Sequence, residues 1–259
     1  MKKVKDKGKK QLSSEKEQRI IEAIKRFNTE LDKRINEITV KKLIDEGGIN
    51  PYLVKSLGFK TIDDTVELFL TRHIIQGLGG SFGAVLERFI IELTDGQSGR
   101  ECEKKGLEKP WISWWDVVIK KSFIKDKKNW KGIVISVKSG PQNMNNDQVK
   151  HFVRQAKKAE KHGYRPCLVF VYGKTAWGVI SNTLPKKGYD PKEYVLIGKQ
   201  VFNKFLKDHD YYKRALELFQ KGWVNTNIFK SIDKKKRAMV AELKKKYGND
   251  LEKLLQDTF

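Results

Sequence analysis

Three polar residues interrupt two apolar runs in the middle of the chain. Asp116 lies within the run 114–119, and Ser136 and Lys138 lie within the run 133–138. Both runs have the composition of β-strands, and strand residues two apart point to the same face of a sheet. An unpaired ammonium group is costly to bury, so Lys138 needs an anionic neighbour. A hairpin of the two strands would bring Asp116 beside Ser136 and Lys138.

This combination of groups suits metal-dependent hydrolysis of a phosphodiester. Asp116 would ligate Mg²⁺, and Lys138 would orient or deprotonate the attacking water, or stabilise charge on the phosphate. Such hydrolysis needs both an activated nucleophile and charge stabilisation. Taken singly, Asp116 is equally well explained as a strand-end residue, and Lys138 as an edge lysine whose ammonium reaches solvent. The joint pattern favours chemistry over these structural explanations.

Charge and composition narrow the class of partner. The chain carries 54 Lys and Arg against 32 Asp and Glu, a formal charge of +22. This favours a polyanionic partner, namely a nucleic acid or an anionic membrane, although lysine also accumulates through genome composition or a hot habitat. No run of about 18 apolar residues was identified, so no membrane span is expected. Two distant cysteines, Cys102 and Cys167, fit neither a zinc motif nor a disulfide framework and indicate a reduced, cytoplasmic protein.

Helices are predicted before the two strands. Ser14 begins a capping box in front of a long amphipathic helix predicted over 14–46. Thr61 caps a second helix, which the glycines over 77–80 are expected to end. Ser81 starts a third helix, on which Glu87 sits among apolar neighbours.

The middle of the chain reads as an α/β unit. A polar loop over 95–110 precedes the two strands, and a helix over 146–162 leads to a buried strand over 167–172, with which 176–180 could pair. A crossover of this length predicts a parallel pair of strands. The expected fold class is therefore α/β: a mixed sheet, made of an antiparallel hairpin and a parallel βαβ unit, flanked by helices at both ends of the chain. The predicted regions are a basic tail (1–12), an N-terminal helical region for dimerisation and a catalytic helix (13–94), an α/β core (95–185) and a Lys-rich helical region packed on the same domain (186–259).

The spacing of Asp116, Ser136 and Lys138 resembles the PD-(D/E)XK nuclease superfamily. There, an Asp near the start of one strand and an acidic-X-Lys motif on the next bind metal and activate water. Two departures are visible: Ser136 replaces the commoner Glu or Asp, and Trp115 stands where the superfamily has Pro. Several Type II restriction endonucleases of the superfamily carry serine at that point and take a carboxylate from elsewhere.

Over about residues 49–155 the chain resembles the Type II restriction enzymes that cut RGGNCCY. The segments that carry it are 49–52, 81–83, 86–87, 136–140 and 148–149. By this resemblance, Glu87 is the compensating carboxylate, Gln148 is a second candidate for the inner shell, and the main-chain carbonyl of Val137 is a further metal ligand. Mg²⁺ is the implied cofactor, with Mn²⁺ as a substitute, because two carboxylates plus phosphate suffice for Mg²⁺.

The resemblance implies a restriction endonuclease that hydrolyses double-stranded DNA at a short palindromic site with a GGNCC-like core, leaving 5′-phosphates. A two-fold symmetric site implies a homodimer, whose interface the helix over 14–46 would form unless it covers the core. A separate DNA methyltransferase is the expected partner protein. The alternatives are a repair or junction-resolving nuclease of the same fold, and a catalytically inactive DNA-binding protein, which Ser136 favours.

A run of amide side chains follows the strand that carries Lys138. Asn and Gln side chains read adenine edges, so this run is a candidate for DNA contacts. The alternative is a solvated loop that caps the next helix at Asn146. The candidate residues are Gln142, Asn143, Asn145 and Asn146.

Overall fold

Two compact units make up the chain in the computed structural model. The first, here called the sheet unit, comprises Met1–Ala23 and Gly83–Gly222, and the second, the helical unit, comprises Ile24–Phe82 and Trp223–Phe259. The domain boundaries expected from the sequence stay a prediction. The structure describes residues 12–106, 110–120, 129–140, 142, 144–176, 178–223 and 228–258.

Helices account for most of the described secondary structure, and the rest consists of four strands and short 3₁₀ turns. The helices are α1 (Ser14–Asn36), α2 (Val40–Ile44), α3 (Pro51–Ser56), α4 (Ile62–Thr94), α5 (Gly99–Lys104), α6 (Asn146–Lys161), α7 (Gly178–Thr183), α8 (Pro191–Tyr194), α9 (Lys199–Leu206), α10 (Tyr211–Lys221), α11 (Ile228–Tyr247) and α12 (Leu251–Gln256). The strands are β1 (Val117–Ile119), β2 (Gly132–Lys138), β3 (Tyr164–Phe170) and β4 (Val195–Ile197).

The four strands form one mixed sheet in the order β1-β2-β3-β4. β1 is antiparallel to β2, while β2, β3 and β4 run parallel. Every residue of β1 and β3 is buried, as expected for a sheet covered on both faces. The predicted α/β class, with a hairpin followed by a parallel unit, is confirmed.

Helix α6 connects β2 to β3 and covers one face of the sheet. Its buried residues Val149, Phe152 and Ala156 share a hydrophobic cluster with Val134 of β2 and Leu168 of β3. The predicted apolar face of this helix is therefore confirmed. Its N-cap is one residue earlier than expected, because Asn145 rather than Asn146 accepts the hydrogen bond that closes the first turn.

The single long helix predicted over 14–46 is wrong. α1 ends at Asn36, and α2 begins after Thr39, whose hydroxyl accepts the Lys42 amide hydrogen bond. Ile35 and Ile38 are both buried on either side of the break. The apolar periodicity therefore continues through a turn, and the sequence pattern alone did not reveal the interruption.

The predicted break at the glycines over 77–80 is also wrong, because α4 continues from Ile62 to Thr94. A glycine inside a helix costs about 1 kcal/mol relative to alanine. Buried apolar residues lie on both sides of the glycines, from Val66 to Ile74 and from Val85 to Leu93, and their packing offsets that cost. By length and composition alone α4 could cross a membrane, a test that core helices also pass, so the expected absence of a span stays a prediction.

Four further corrections concern the segments around the sheet. The expected loop over 95–110 contains α5, and the first strand is shorter than expected because Pro110–Trp114 forms a 3₁₀ turn. The predicted pairing of 176–180 with β3 is wrong for the described part of that segment, since Gly178–Thr183 is helical. The partner of β3 is β4, which lies in a region predicted to be helical. A three-residue strand is too short to show an alternating pattern.

The helical unit has a hydrophobic cluster of its own. It joins residues of α1, α2, α4, α11 and α12, with Ile35, Leu43, Leu243 and Leu254 at most 1% exposed. Ion pairs such as Lys244–Asp63, at 2.7 Å, lie at its surface.

The two helices predicted after the sheet are each interrupted. The predicted helix over 199–221 is divided into α9 and α10, and the predicted helix over 233–257 is divided into α11 and α12.

Candidate active site

Asp116 lies between the 3₁₀ turn and β1, where its carboxylate faces the backbone of β2. Its backbone N–H donates to the Ile135 carbonyl at 3.0 Å. Its Oδ2 accepts a hydrogen bond from the Val137 N–H at 2.6 Å and from the Ser136 hydroxyl at 3.4 Å. The carboxylate thus supplies an acceptor to β2 at the point where β1 begins. The adjacency predicted from the hairpin is confirmed.

Ser136 and Lys138 project from the same face of β2. Val134, two residues earlier, belongs to the cluster that contains the buried residues of α6, so all three side chains share that face. Ser136 is 2% exposed, whereas Lys138 is half-buried at the carboxyl end of the strand. The strand thus presents a buried hydroxyl and a partly accessible ammonium near Asp116.

The main chain of Val137 faces the Asp116 edge of β2. The N–H and C=O of one strand residue point to the same edge, and the Val137 N–H donates to Asp116. The neighbouring Lys138 carbonyl instead accepts from Val171, on the β3 side. The Val137 carbonyl therefore lies on the same edge of β2 as the Asp116 carboxylate.

Glu87 lies half-buried on α4 and joins Asp116 and Lys138 as the third charged residue of the candidate site. Burial raises the pKa of Glu87 to about 7, and the Asp116 carboxylate raises it as well, while Lys138 and Arg100 lower it. Glu87 therefore lies within electrostatic range of Asp116 and Lys138. The structure thus gathers the three residues to which the sequence assigned chemistry.

The Asp116 carboxyl is perturbed in the same direction as Glu87. Burial raises its pKa, against the opposing effects of Lys138, the Val137 N–H and the Ser136 hydroxyl. Two carboxylates in a partly buried place repel each other, and a divalent cation relieves that repulsion.

The available donors fit Mg²⁺. They are two carboxylates and one carbonyl, and Mg²⁺ takes hard oxygen ligands, often only one or two carboxylates. No group of three or more His, Cys, Asp and Glu suited to a metal occurs in the part of the chain that the structure describes.

Gln148 occupies the first turn of α6 and is exposed. Its side-chain oxygen accepts the Asn145 N–H at 3.0 Å, while the Asn145 side chain accepts the Gln148 N–H at 2.9 Å. This reciprocal pair is a capping box. Gln148 is thus engaged in capping, and its expected place near the metal stays a prediction.

The amide residues proposed to contact DNA have different surroundings. Gln142 is exposed, and Asn143 lies outside the described residues. Asn145 caps α6, and the Asn146 side chain accepts a hydrogen bond from the Thr183 hydroxyl at 3.2 Å. The capping explanation therefore holds for Asn145, and base contacts by these residues stay a prediction.

Arg100 was not identified from the sequence. It lies on α5, is exposed, and interacts electrostatically with both Asp116 and Glu87. The signal that could have located it is the capping box of Ser98 and Glu101, which starts α5 and is visible in the sequence. A helix predicted to start at that point would have placed Arg100 on a helix and not in the loop expected over 95–110.

One comparison with known proteins identifies the chain. The family model described as Type II restriction endonuclease EcoO109I matches residues 14–227, a span that includes Glu87, Asp116 and Lys138. The chain belongs to this family. No curated protein matches it. Membership confirms the resemblance seen in the sequence.

As a member of the EcoO109I family of Type II restriction endonucleases, the protein is a site-specific deoxyribonuclease of a restriction system and acts on double-stranded DNA. Type II restriction endonucleases generally use divalent metal ions. The high positive charge of the chain, +22, suits a polyanionic substrate.

Metal-free Glu87→Gln is expected to be more stable than the wild type at pH 8. Folding raises the pKa of Glu87 to about 7 from its ordinary value of 4.5. The folded state therefore binds more protons between these values, so wild-type stability falls as pH rises through that window. Glutamine does not ionise, so the variant keeps its stability as pH rises. At pH 8 its free energy of unfolding should exceed that of the wild type by about 1–2 kcal/mol after allowance for solvent screening. Urea melts in EDTA from pH 4 to pH 8 measure it.

The matched control is Glu22→Gln, which removes an exposed carboxylate from α1. It should leave the pH profile of stability unchanged. Mg²⁺ added at pH 8 should stabilise the wild type more than Glu87→Gln, because a ligand that binds only the folded state raises its stability. If Glu87→Gln keeps the wild-type pH profile of stability and the wild-type response to Mg²⁺, Glu87 neither has a raised pKa nor contributes to metal binding.

Proposed function

We propose that the protein is a Mg²⁺-dependent Type II restriction endonuclease that cuts a short palindromic site with a GGNCC-like core and leaves 5′-phosphates. The observation that carries the proposal is the grouping of Asp116 and Glu87 with Lys138. Two carboxylates of raised pKa, Asp116 just before β1 and Glu87 on α4, interact with the lysine that ends β2, an arrangement that suits a divalent cation and a phosphate. Mn²⁺ is the expected substitute metal.

Asp116, Glu87 and the Val137 carbonyl would hold the metal. When bound, Mg²⁺ polarises the scissile phosphate and favours ionisation of the attacking water. Ser136 is too buried to reach solvent, and its hydroxyl donates to Asp116 at 3.4 Å, so its role is to orient that carboxylate. Glu87 supplies the negative charge that an acidic residue at position 136 would have provided.

Lys138 would act on the phosphate and on water. Its ammonium carries the positive charge of β2 nearest to the two carboxylates, and it lowers the pKa of both. In this position the ammonium offsets the negative charge that develops on the phosphate and orients the water for attack. Gln148 would add a polar group beside that water once its capping bond to Asn145 is released.

A homodimer follows from the palindromic site. Two active sites related by a two-fold axis can cut both strands of a symmetric sequence. The corresponding cellular arrangement is a cytoplasmic enzyme with a separate DNA methyltransferase that modifies the same site. Gln142, Asn143, Asn145 and Asn146 are proposed to approach the bases beside the cleavage point.

A digest tests the proposal. Purified protein is incubated with phage DNA in Mg²⁺, in Mn²⁺ and in EDTA, and ligation of the products checks for 5′-phosphates. Discrete fragments with either metal and none in EDTA are expected, and sequencing of the fragment ends should give one palindrome. A smear would instead indicate a repair nuclease. DNA that is retarded on a native gel but stays intact would indicate a binding protein inactivated by Ser136.

A further inference from the structure

The segment that precedes α5 runs antiparallel beside β1. The Gln97 N–H donates to the Val118 carbonyl at 2.9 Å, and the Val118 N–H donates to the Gln97 carbonyl at 2.7 Å. The Gly99 N–H donates to the Trp115 carbonyl at 3.1 Å. The first residue of α5 therefore lies against the backbone just before Asp116.

This approach depends on Gly99. A Cβ atom at that position would lie 2.1 Å from the Ile112 carbonyl oxygen and 2.4 Å from the Trp115 carbonyl oxygen, closer than any side chain permits. The Ser98 capping box fixes the start of α5 at the same point. Backbone packing, rather than a flexible loop, therefore fixes where the next residue, Arg100, begins.

Arg100 is exposed at this place and near two carboxylates. Its guanidinium interacts electrostatically with Asp116 and Glu87. Among the described residues, however, no carboxylate forms an ion pair with it within 4.0 Å. A guanidinium offers five N–H donors in a planar fork that matches the oxygens of a phosphate. Within the part of the chain that the structure describes, those donors are therefore available to an anion that enters from solvent.

We propose that Arg100 binds a non-bridging oxygen of the DNA phosphate at the cleavage site, an inference that rests on the proposed function. Asp116 and Glu87 repel a phosphate before any metal is bound. Lys138 supplies one compensating positive charge from β2, and Arg100 supplies a second from α5. The bidentate geometry of a guanidinium holds the phosphate in one orientation, which a lysine ammonium does not.

The first test is DNA binding without metal. Affinity of the wild type, Arg100→Gln and Arg100→Lys is measured in EDTA over a range of salt concentrations with a duplex that contains the cleavage site. Loss of one phosphate contact should lower the slope of log affinity against log salt by about 1 for Arg100→Gln. Arg100→Lys keeps the charge and should keep the slope. The control Arg237→Gln removes a guanidinium already paired with Asp233 at 2.6 Å and should change nothing.

The second test is single-turnover cleavage at pH 7 and pH 9 in saturating Mg²⁺. Arg100→Gln should cleave about 10 to 100 times more slowly than the wild type, since it lacks a donor to the transition-state phosphate. If Arg100 only lowered the pKa of Asp116 and Glu87, its loss should cost less at pH 9 than at pH 7, whereas loss of a phosphate contact should cost the same at both.

An unchanged salt slope together with an unchanged rate at pH 9 would overturn the inference while leaving the proposed function intact. A wild type that does not cut DNA would instead refute the proposed function, and the salt slope in EDTA would still decide whether Arg100 contacts phosphate. Thermal melts should show that Arg100→Gln folds, because the residue is exposed.

Discussion

Asp116→Asn is expected to bind DNA and to cleave it at least about a hundredfold more slowly than the wild type, because a neutral amide is a poor ligand for Mg²⁺. An asparagine oxygen can still accept the Val137 N–H, which in the wild type donates to Asp116 at 2.6 Å. The fold should therefore persist. In EDTA the variant should bind DNA more tightly than the wild type, since one carboxylate that repels phosphate has gone. Single-turnover cleavage and metal-free binding measure the two effects.

The matched control is Asp147→Asn, which neutralises an exposed aspartate on α6 in the same unit. It should cut at the wild-type rate. Asp116→Ala should also be inactive, but it should unfold more easily by about 1–3 kcal/mol, because the Val137 N–H is left without its acceptor. Wild-type cleavage by Asp116→Asn would show that the metal is held elsewhere.

Lys138→Gln is expected to slow cleavage by about a hundred- to a thousandfold, the usual cost of removing one group that stabilises transition-state charge. It should also move the acid limb of the pH–rate profile to higher pH. Lys138 lowers the pKa of both Asp116 and Glu87, so its removal lets both carboxylates keep their protons to higher pH. Protonated carboxyls bind metal poorly, so the rate should fall further at pH 7 than at pH 9.

Lys138→Arg separates the two functions of this lysine. If charge alone matters, the arginine should restore most of the rate, whereas a lysine that orients or deprotonates water should not be replaced by a guanidinium. Lys131→Gln, at the opposite end of β2 and exposed, is the control and should leave both rate and pH profile unchanged. Full activity of Lys138→Gln would mean that the lysine does not face the substrate.

The residues that the sequence assigned to the candidate site lie together, and they could be identified because they stand out locally in the chain. Asp116 and Lys138 are charged residues within apolar runs of the sequence, and a hairpin is the short connection that brings such runs together. Glu87 came from the family resemblance, since one acidic residue on an apolar helix has no distinctive spacing. Arg100 was missed for the opposite reason: within a polar segment, an additional charge does not stand out, and only the capping box of Ser98 marks a helix there.

The sequence predicted the fold less well where length or packing decides the structure. Helix α4 continues through its glycines because the apolar residues on both sides are buried, which local propensity does not record. β4 has three residues in a Lys-rich region, and only its pairing with β3 makes it a strand. Elements with a long periodic pattern, such as α6, were predicted within a residue or two.

The hydrogen bond from the Val137 N–H has a consequence for how this enzyme tolerates sequence change. Asp116 is held mainly by a main-chain donor, which every residue type except proline supplies at position 137. The anchoring of the aspartate is thus largely independent of the neighbouring side chain at position 136. A lineage could therefore exchange an acid for the small serine there without displacing Asp116, provided that a carboxylate such as Glu87 was already within reach. Under the proposed function, the backbone bond would leave the aspartate required and allow the second acid to come from another position.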